Sequence, residues 1–182
     1  VIEKHHLKAL AKNARAGLAS QLVASQLRND LAGNVGEPAE TLETAPTLFR
    51  SAQILGHALR SVRLSIAPAL EADSLNTSAS MLLGGQVAGG AMGLYLIYSQ
   101  GNFIECGRDT PYLQIGELKY GKPILDRALR PNTTLSEAVK LGLISFDSTI
   151  RSNIAVGPPL DLIVIPRGKL VGMERRIDAE DP

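Results

Sequence analysis

An α+β fold, with antiparallel strands layered against helices, is predicted by three features of the 182-residue sequence. Helical periodicity falls into pairs of segments, short turn-bounded strand segments lie between and after those pairs, and no regular alternation of strand and crossover helix runs through the chain. With 45% apolar and 20% charged side chains, the composition is that of an ordinary globular domain. A chain of this size buries roughly 70% of its unfolded surface, so a core can form without disulfides or a metal.

Residues 1–15 are basic and Ala-rich, with Lys4, Lys8, Lys12 and Arg15 at near-helical spacing. They read as a divergent N-terminal segment, either a solvated helix or a frayed tail. From Ala16 to Leu31 the apolar positions Leu18, Leu22, Val23, Leu27 and Leu31 share one helical face, and Gly33 with Asn34 stops the helix. Residues 33–46 carry Gly, Pro, Thr and Glu without a period and read as a surface loop. Steps of four and three through Leu48, Ala52, Leu55, Leu59, Val62 and Ile66 predict a longer helix. Arg50, Gln53, His57 and Arg60 take its opposite face, and Pro68 is expected to bend or end it.

The period then changes. Ser78–Leu83, Leu94–Tyr98, Asn102–Glu105 and Tyr112–Ile115 read as strands, with Gly89, Gly90 and Gly101 where hairpin turns belong. Helical spacing returns from Leu118 to Leu129, and Pro123 is early enough to be tolerated. Thr134 and Glu137 have the spacing of a capping box ahead of Leu135, Ala138, Val139, Gly142, Leu143, Phe146 and Ile150. Gly157, Pro158 and Pro159 break that helix, and a left-handed Gly157 would give it a sharp exit. Leu160–Ile165 and Lys169–Met173 read as closing strands, with a charged tail over 174–182. Both faces of Leu160–Ile165 are mostly apolar, the pattern of a central strand with a neighbour on each edge.

Nineteen basic against eighteen acidic residues give a net charge of +1, which offers no electrostatic case for nucleic acid or an anionic membrane as partner. Trp is absent and there are only four Tyr and three Phe, too few for a stacking surface. No apolar run is long enough for a membrane span. The lone Cys106 and the absence of a leader-like start favour a reducing, cytoplasmic home.

Gly84, Gly85, Gly89 and Gly90 look like a phosphate cradle, but no Lys-Ser or Lys-Thr follows, so a hairpin turn is favoured. His5 and His6 point to different faces, and His57 has no ligand partner at metal spacing, so neither a metal nor a cofactor is expected. Cys106 reads as a small buried side chain rather than a nucleophile. Ser145, Asp147, Ser148, Thr149, Arg151, Ser152 and Asn153 crowd a helix end. Two readings of that cluster stand level: groups that position a nucleophile and water, or helix capping with an Asp147–Arg151 surface pair.

The segments YLIYSQGNFIE, YLQIGELKYGKPILDRAL and SFDSTIRSNIAVGPPLDLIVI resemble the Anbu family of bacterial proteasome-related proteins, the ancestral β-subunits, and more distantly the proteasome β-subunits. The similarity runs from about Ala16 to Leu170 and marks 16–173 as a partial proteasome-β-like domain. It implies the N-terminal-nucleophile hydrolase fold, with two stacked antiparallel sheets flanked by helices (αββα). It also implies cytoplasmic subunits that associate into homo-oligomeric rings or open rings, and a peptide substrate. In that family the nucleophile is a free N-terminal Thr, assisted by an Asp and a Lys on strands that precede the first helix. Val1 carries no hydroxyl and only residues 1–15 precede the first matching helix, so those strands are expected to be missing and no catalytic residue is placed.

Downstream, Glu117 stands where proteasome β-subunits carry a Ser after the Gly of an Ile-Gly turn. Ser152 or Asn153, with Val156 or Gly157, stands where they carry an Asp and a Ser. Glu117, Ser152 and Asn153 are thus the supporting candidates. The resemblance implies a threonine-type peptidase subunit; the alternative is a non-catalytic, self-assembling structural subunit of the same fold. Because Val1 offers only an amine and no Ser, Thr or Cys has an evident partnered base, residues 1–182 alone should not hydrolyse unstructured peptides. Hydrolysis abolished by Cys106→Ala or Ser152→Ala would contradict this.

Overall fold

The computed structural model describes residues 42, 44–72, 78–87, 89–167, 169 and 172–180. The expected helix over 16–31, the basic segment 1–15 and most of the loop 33–46 lie outside the described residues. The chain divides into two compact units, 1–105 and 106–182. In both, helices accompany antiparallel strands, as the α+β reading requires.

In the first unit, helix α1 (Leu48–Ala72) packs on a three-stranded antiparallel sheet of β1 (Ser80–Gln86), β2 (Met92–Tyr98) and β3 (Phe103–Glu105), in that order. The register pairs Ser80 with Tyr98 and Gln86 with Met92, so the period of two brings Leu83, Tyr95 and Ile97 to bear on the helix. There they meet Ala52, Leu55, Leu59 and Val62, the helical face anticipated from spacing. Burying each such Leu or Val stabilises by about 1.5–3 kcal/mol, which is why the stripe decides the helix position. Phe49, Tyr95 and Phe103 close one end of the core edge to face, with ring centroids 5.3–6.5 Å apart.

Both hairpin turns use the expected glycines. Gly89 has φ 77° in the β1–β2 turn, where Gly90 N–H bonds the Val87 carbonyl, and Gly101 has φ 90° in the β2–β3 turn. Pro68 does not end α1, which runs on to Ala72. Pro68 and Leu64, whose carbonyl loses its donor, are both exposed, so the interruption buries no unpaired group.

The second unit holds α2 (Lys122–Ala128), α3 (Leu135–Ser152) and an antiparallel hairpin of β4 (Leu160–Val164) and β5 (Met173–Ile177). The capping box is present: Thr134 Oγ1 accepts from Glu137 N–H, and Glu137 returns a carboxylate oxygen to Thr134 N–H at 2.9 Å. Tyr112–Ile115 is not a strand. No described strand pairs with it, and side chains hold it instead, as Tyr112 Oη donates to Asp126 Oδ1 at 2.5 Å. The helix expected from Leu118 begins only at Lys122, because Leu118–Gly121 forms a turn that Glu117 caps.

The second closing strand lies at Met173–Ile177, not Lys169–Met173. The cross-strand pair of Asp161 with Arg176, at 3.1 Å, places residues expected in the tail opposite β4. Gly157 is not left-handed and nothing lies near the position of its missing Cβ, so the junction does not require a glycine there.

One contact in the first unit admits only glycine. A Cβ on Gly56 in α1 would lie 2.3 Å from the Gly101 carbonyl oxygen, a backbone atom that cannot swing aside. Gly56→Ala should therefore lower stability by about 3 kcal/mol. Gly142→Ala, in α3 with nothing within 4 Å of the new methyl, should raise it by roughly 0.5–1 kcal/mol through helix propensity. Thermal melts followed by circular dichroism read both, and an unchanged melt for Gly56→Ala would refute the close approach.

Candidate functional site

The polar cluster at the end of α3 resolves into separate jobs. Ser145 and Thr149 are buried where α2 begins against α3. A Cβ on Gly121 would stand 2.3 Å from Ser145 Oγ and 3.0 Å from Thr149 Oγ1, so the chain entering α2 rests directly on those hydroxyls. Thr149 Oγ1 donates to the Ser145 carbonyl at 2.9 Å, which satisfies it inside the helix. Ser148 Oγ donates to the Tyr120 carbonyl at 3.4 Å, a second tie to the same turn. Asp147 and Arg151 form an exposed pair at 2.9 Å, worth well under about 1 kcal/mol. Ser152 is exposed, and no hydrogen bond joins its side chain to the others.

Asn153 caps α3, its N–H bonding the Thr149 carbonyl at 2.8 Å. Its side chain then does two things. Oδ1 accepts from Ala155 N–H at 2.9 Å, and Nδ2 donates to Glu117 Oε2 at 3.0 Å. Glu117 Oε1 meanwhile accepts from Lys119 N–H at 2.8 Å. The Glu117 main chain is fixed as well, since its carbonyl accepts from Gln114 Nε2 at 3.1 Å and the preceding Gly116 takes φ 87°. Two of the three supporting candidates, Glu117 and Asn153, are thus brought together across 36 positions of sequence, and Ser152 is left out.

This arrangement sets the chemistry of the carboxylate. The Lys119 N–H, and next the Asn153 amide, hold Glu117 below its ordinary carboxyl value. It is ionised at neutral pH and accepts hydrogen bonds; it is not poised to exchange a proton there. Such a group can orient a neighbouring donor or stabilise positive charge. Cys106 Sγ donates to the Thr110 carbonyl at 3.1 Å, a contact with no base in it. Among the described residues no cluster of His, Cys, Asp or Glu can hold a metal ion, and His5 and His6 lie outside them.

The missed feature is Gln114, whose amide carries Glu117 by its main chain while its Oε1 is buried without a hydrogen-bond partner among the described residues. Its place two residues before a glycine of positive φ was the only sequence signal, and it is a weak one.

Comparison with known proteins bears on most of the chain. No family model and no curated protein matches it. Among solved structures, Anbu from Hyphomicrobium sp. strain MC1 is 44% identical at a TM-score of 0.76, over 90% of this chain and 66% of that one. The chain belongs to the Anbu family. Anbu from Yersinia bercovieri, the ancestral β-subunit, is similar at 39% identity and TM-score 0.75, and a helical assembly of the Anbu complex from Pseudomonas aeruginosa at 40% and 0.75. Each of these two is matched over 90% of this chain and 66% of its own. This Anbu chain therefore spans about two thirds of the length of the structures it matches.

The hydrogen bonds to Glu117 predict a pH dependence. A carboxyl whose folded pKa is lowered adds stability above the ordinary glutamate range, and that stability is lost as pH falls through the folded value. Glu117→Gln should flatten this acid limb relative to the parent chain, leaving the similarly lowered Asp126 and Glu137 to account for the rest. Denaturant melts at stepped acid pH measure it, and superimposable limbs would show that the Glu117 bonds carry no proton linkage.

Proposed function

We propose that this Anbu chain is a subunit of a self-assembling, cytoplasmic, proteasome-like peptidase of the N-terminal-nucleophile type, in which Glu117 and Asn153 are positioning residues beside the nucleophile. The observation that carries the reading is the 3.0 Å bond between Asn153 Nδ2 and Glu117 Oε2. By the resemblance to proteasome β-subunits both residues would stand at supporting positions of the active site, and the bond that joins them across 36 positions of sequence supports that reading. An ionised, fully oriented carboxylate suits the holding of an ammonium or hydroxyl donor in place, and a misplacement of about 1 Å can cost on the order of 100-fold in rate. Antiparallel sheets accompanied by helices fit the αββα sandwich of such hydrolases. Assembly is supported by the helical assembly of the Pseudomonas aeruginosa protein. The single cysteine supports a reducing compartment, and among the described residues no helix is long and apolar enough to cross a membrane.

A second reading, a self-assembling structural subunit without catalysis, draws on the large apolar side chains that α3 leaves half exposed, Leu135, Ile144 and Phe146. The two separate on the product of the whole reading frame that encodes residues 1–182. Peptide hydrolysis that falls about 100-fold in kcat, with KM little changed, on Glu117→Gln supports the first reading when the light-scattering mass is unaltered. A homo-oligomer that neither cleaves peptides nor reacts with an electrophilic β-lactone supports the second. A clean monomer at micromolar concentration would contradict both.

A further inference from the structure

Away from Glu117 and Asn153, a cleft of about 150 Å³ lies between the loop Arg108–Tyr112 and one flank of α2. Sites for drug-sized ligands run to roughly 300–1,000 Å³, so this one admits a single small molecule. Its apolar lining comes from Pro111, Leu125, Leu129 and Pro131. Most of its charge is already committed. Asp126 accepts from Lys122 Nζ at 2.7 and 2.8 Å and from Tyr112 Oη at 2.5 Å. Arg130 turns its guanidinium onto the carbonyls of Asp126, Arg127 and Leu129, capping the end of α2.

Two charges are left over. Arg108 and Asp109 both line the cleft, both are exposed, and neither makes a hydrogen bond or ion pair within the described residues. A cation and an anion on successive residues, above an apolar wall, define a ligand of matching polarity. A simple carboxylate would leave Asp109 facing a like charge, and a simple amine would do the same at Arg108. A molecule carrying both groups on one carbon satisfies each. We infer that this cleft binds a free aliphatic α-amino acid as its zwitterion, with the carboxylate toward Arg108, the ammonium toward Asp109 and the side chain on Leu125 and Leu129. Free amino acids are the end product of complete peptide hydrolysis, so, on the peptidase reading, the site would sense the end product away from Glu117 and Asn153.

The test is calorimetric titration of the protein with L-leucine, isovalerate and isoamylamine, which share a branched chain and differ in charged groups. Leucine should bind with a Kd on the order of a millimolar, and the two single-charge analogues about tenfold more weakly or worse. Arg108→Gln and Asp109→Asn should each weaken leucine by about tenfold while leaving the thermal melt unchanged, both side chains being exposed. Equal binding of either analogue, insensitivity to both substitutions, or no saturation by about 20 mM leucine would overturn the assignment. Neither substituted residue bonds Glu117 or Asn153, so such a failure leaves the peptidase reading standing.

Discussion

The seat of Gly121 on Ser145 and Thr149 is the contact on which the candidate site depends. From Cys106 onward no apolar side chain among the described residues is fully buried, and the buried side chains are those two hydroxyls. Hydrophobic burial cannot therefore fix the turn that carries Glu117 in relation to the end of α3. Backbone-to-hydroxyl packing does so, since without a Cβ the Gly121 main chain can approach the helix closely. Once that approach is set, Ser148 reaches the Tyr120 carbonyl and Asn153 reaches Glu117. Remove the approach and both bonds lose their geometry together.

What could be read in advance follows from which forces act. The α1 face was legible because Ala52, Leu55, Leu59 and Val62 obey a helical period that burial against one sheet enforces. The α3 start was legible because a capping box is local chemistry over four residues. Tyr112–Ile115 misled because β-branched and aromatic content signals a strand only where a partner edge exists, and here side-chain anchors take the place of a ladder. The last strand misled for a related reason: its residues Glu174, Arg175 and Arg176 read as solvated, and the pairing of Asp161 with Arg176 is a long-range fact absent from any local window. Of the site, Ser152 and Asn153 were legible in the polar cluster at the end of α3, and Glu117 only through resemblance. The bond that selects two of them required the fold, because a 36-residue separation has no periodic signature.

The chemistry of Glu117 also narrows what the site can do. A serine at that position could donate and accept a proton in one hydrogen-bond chain; a carboxylate bonded by Lys119 N–H and Asn153 only accepts. Its partners lower its pKa, so the charge is permanent near neutrality. Charge at a fixed point is useful where a cation forms or a donor must be aimed, and it is poorly suited to shuttling protons. In the proposed site, this geometry suits positioning better than acid–base exchange.

The same scarcity of buried apolar side chains gives the second unit a surface unusual for a free-standing body. Leu135, Ile144 and Phe146 of α3 are each about half exposed, and Met173 on β5 is 71% exposed. Isolated exposed leucines are ordinary, but a helix that shows three large apolar groups while its own buried seam is made of Ser and Thr has its hydrophobicity on the outside. Hydrogen bonds contribute only about 0.5–1.5 kcal/mol each, so the polar tethers locate the elements more than they stabilise them. Covering those apolar groups would add the stability that the polar tethers do not supply, as a subunit interface of the proposed assembly would. The polar seam that builds the candidate site and the apolar side chains left exposed on α3 are on this account two consequences of one distribution of residues.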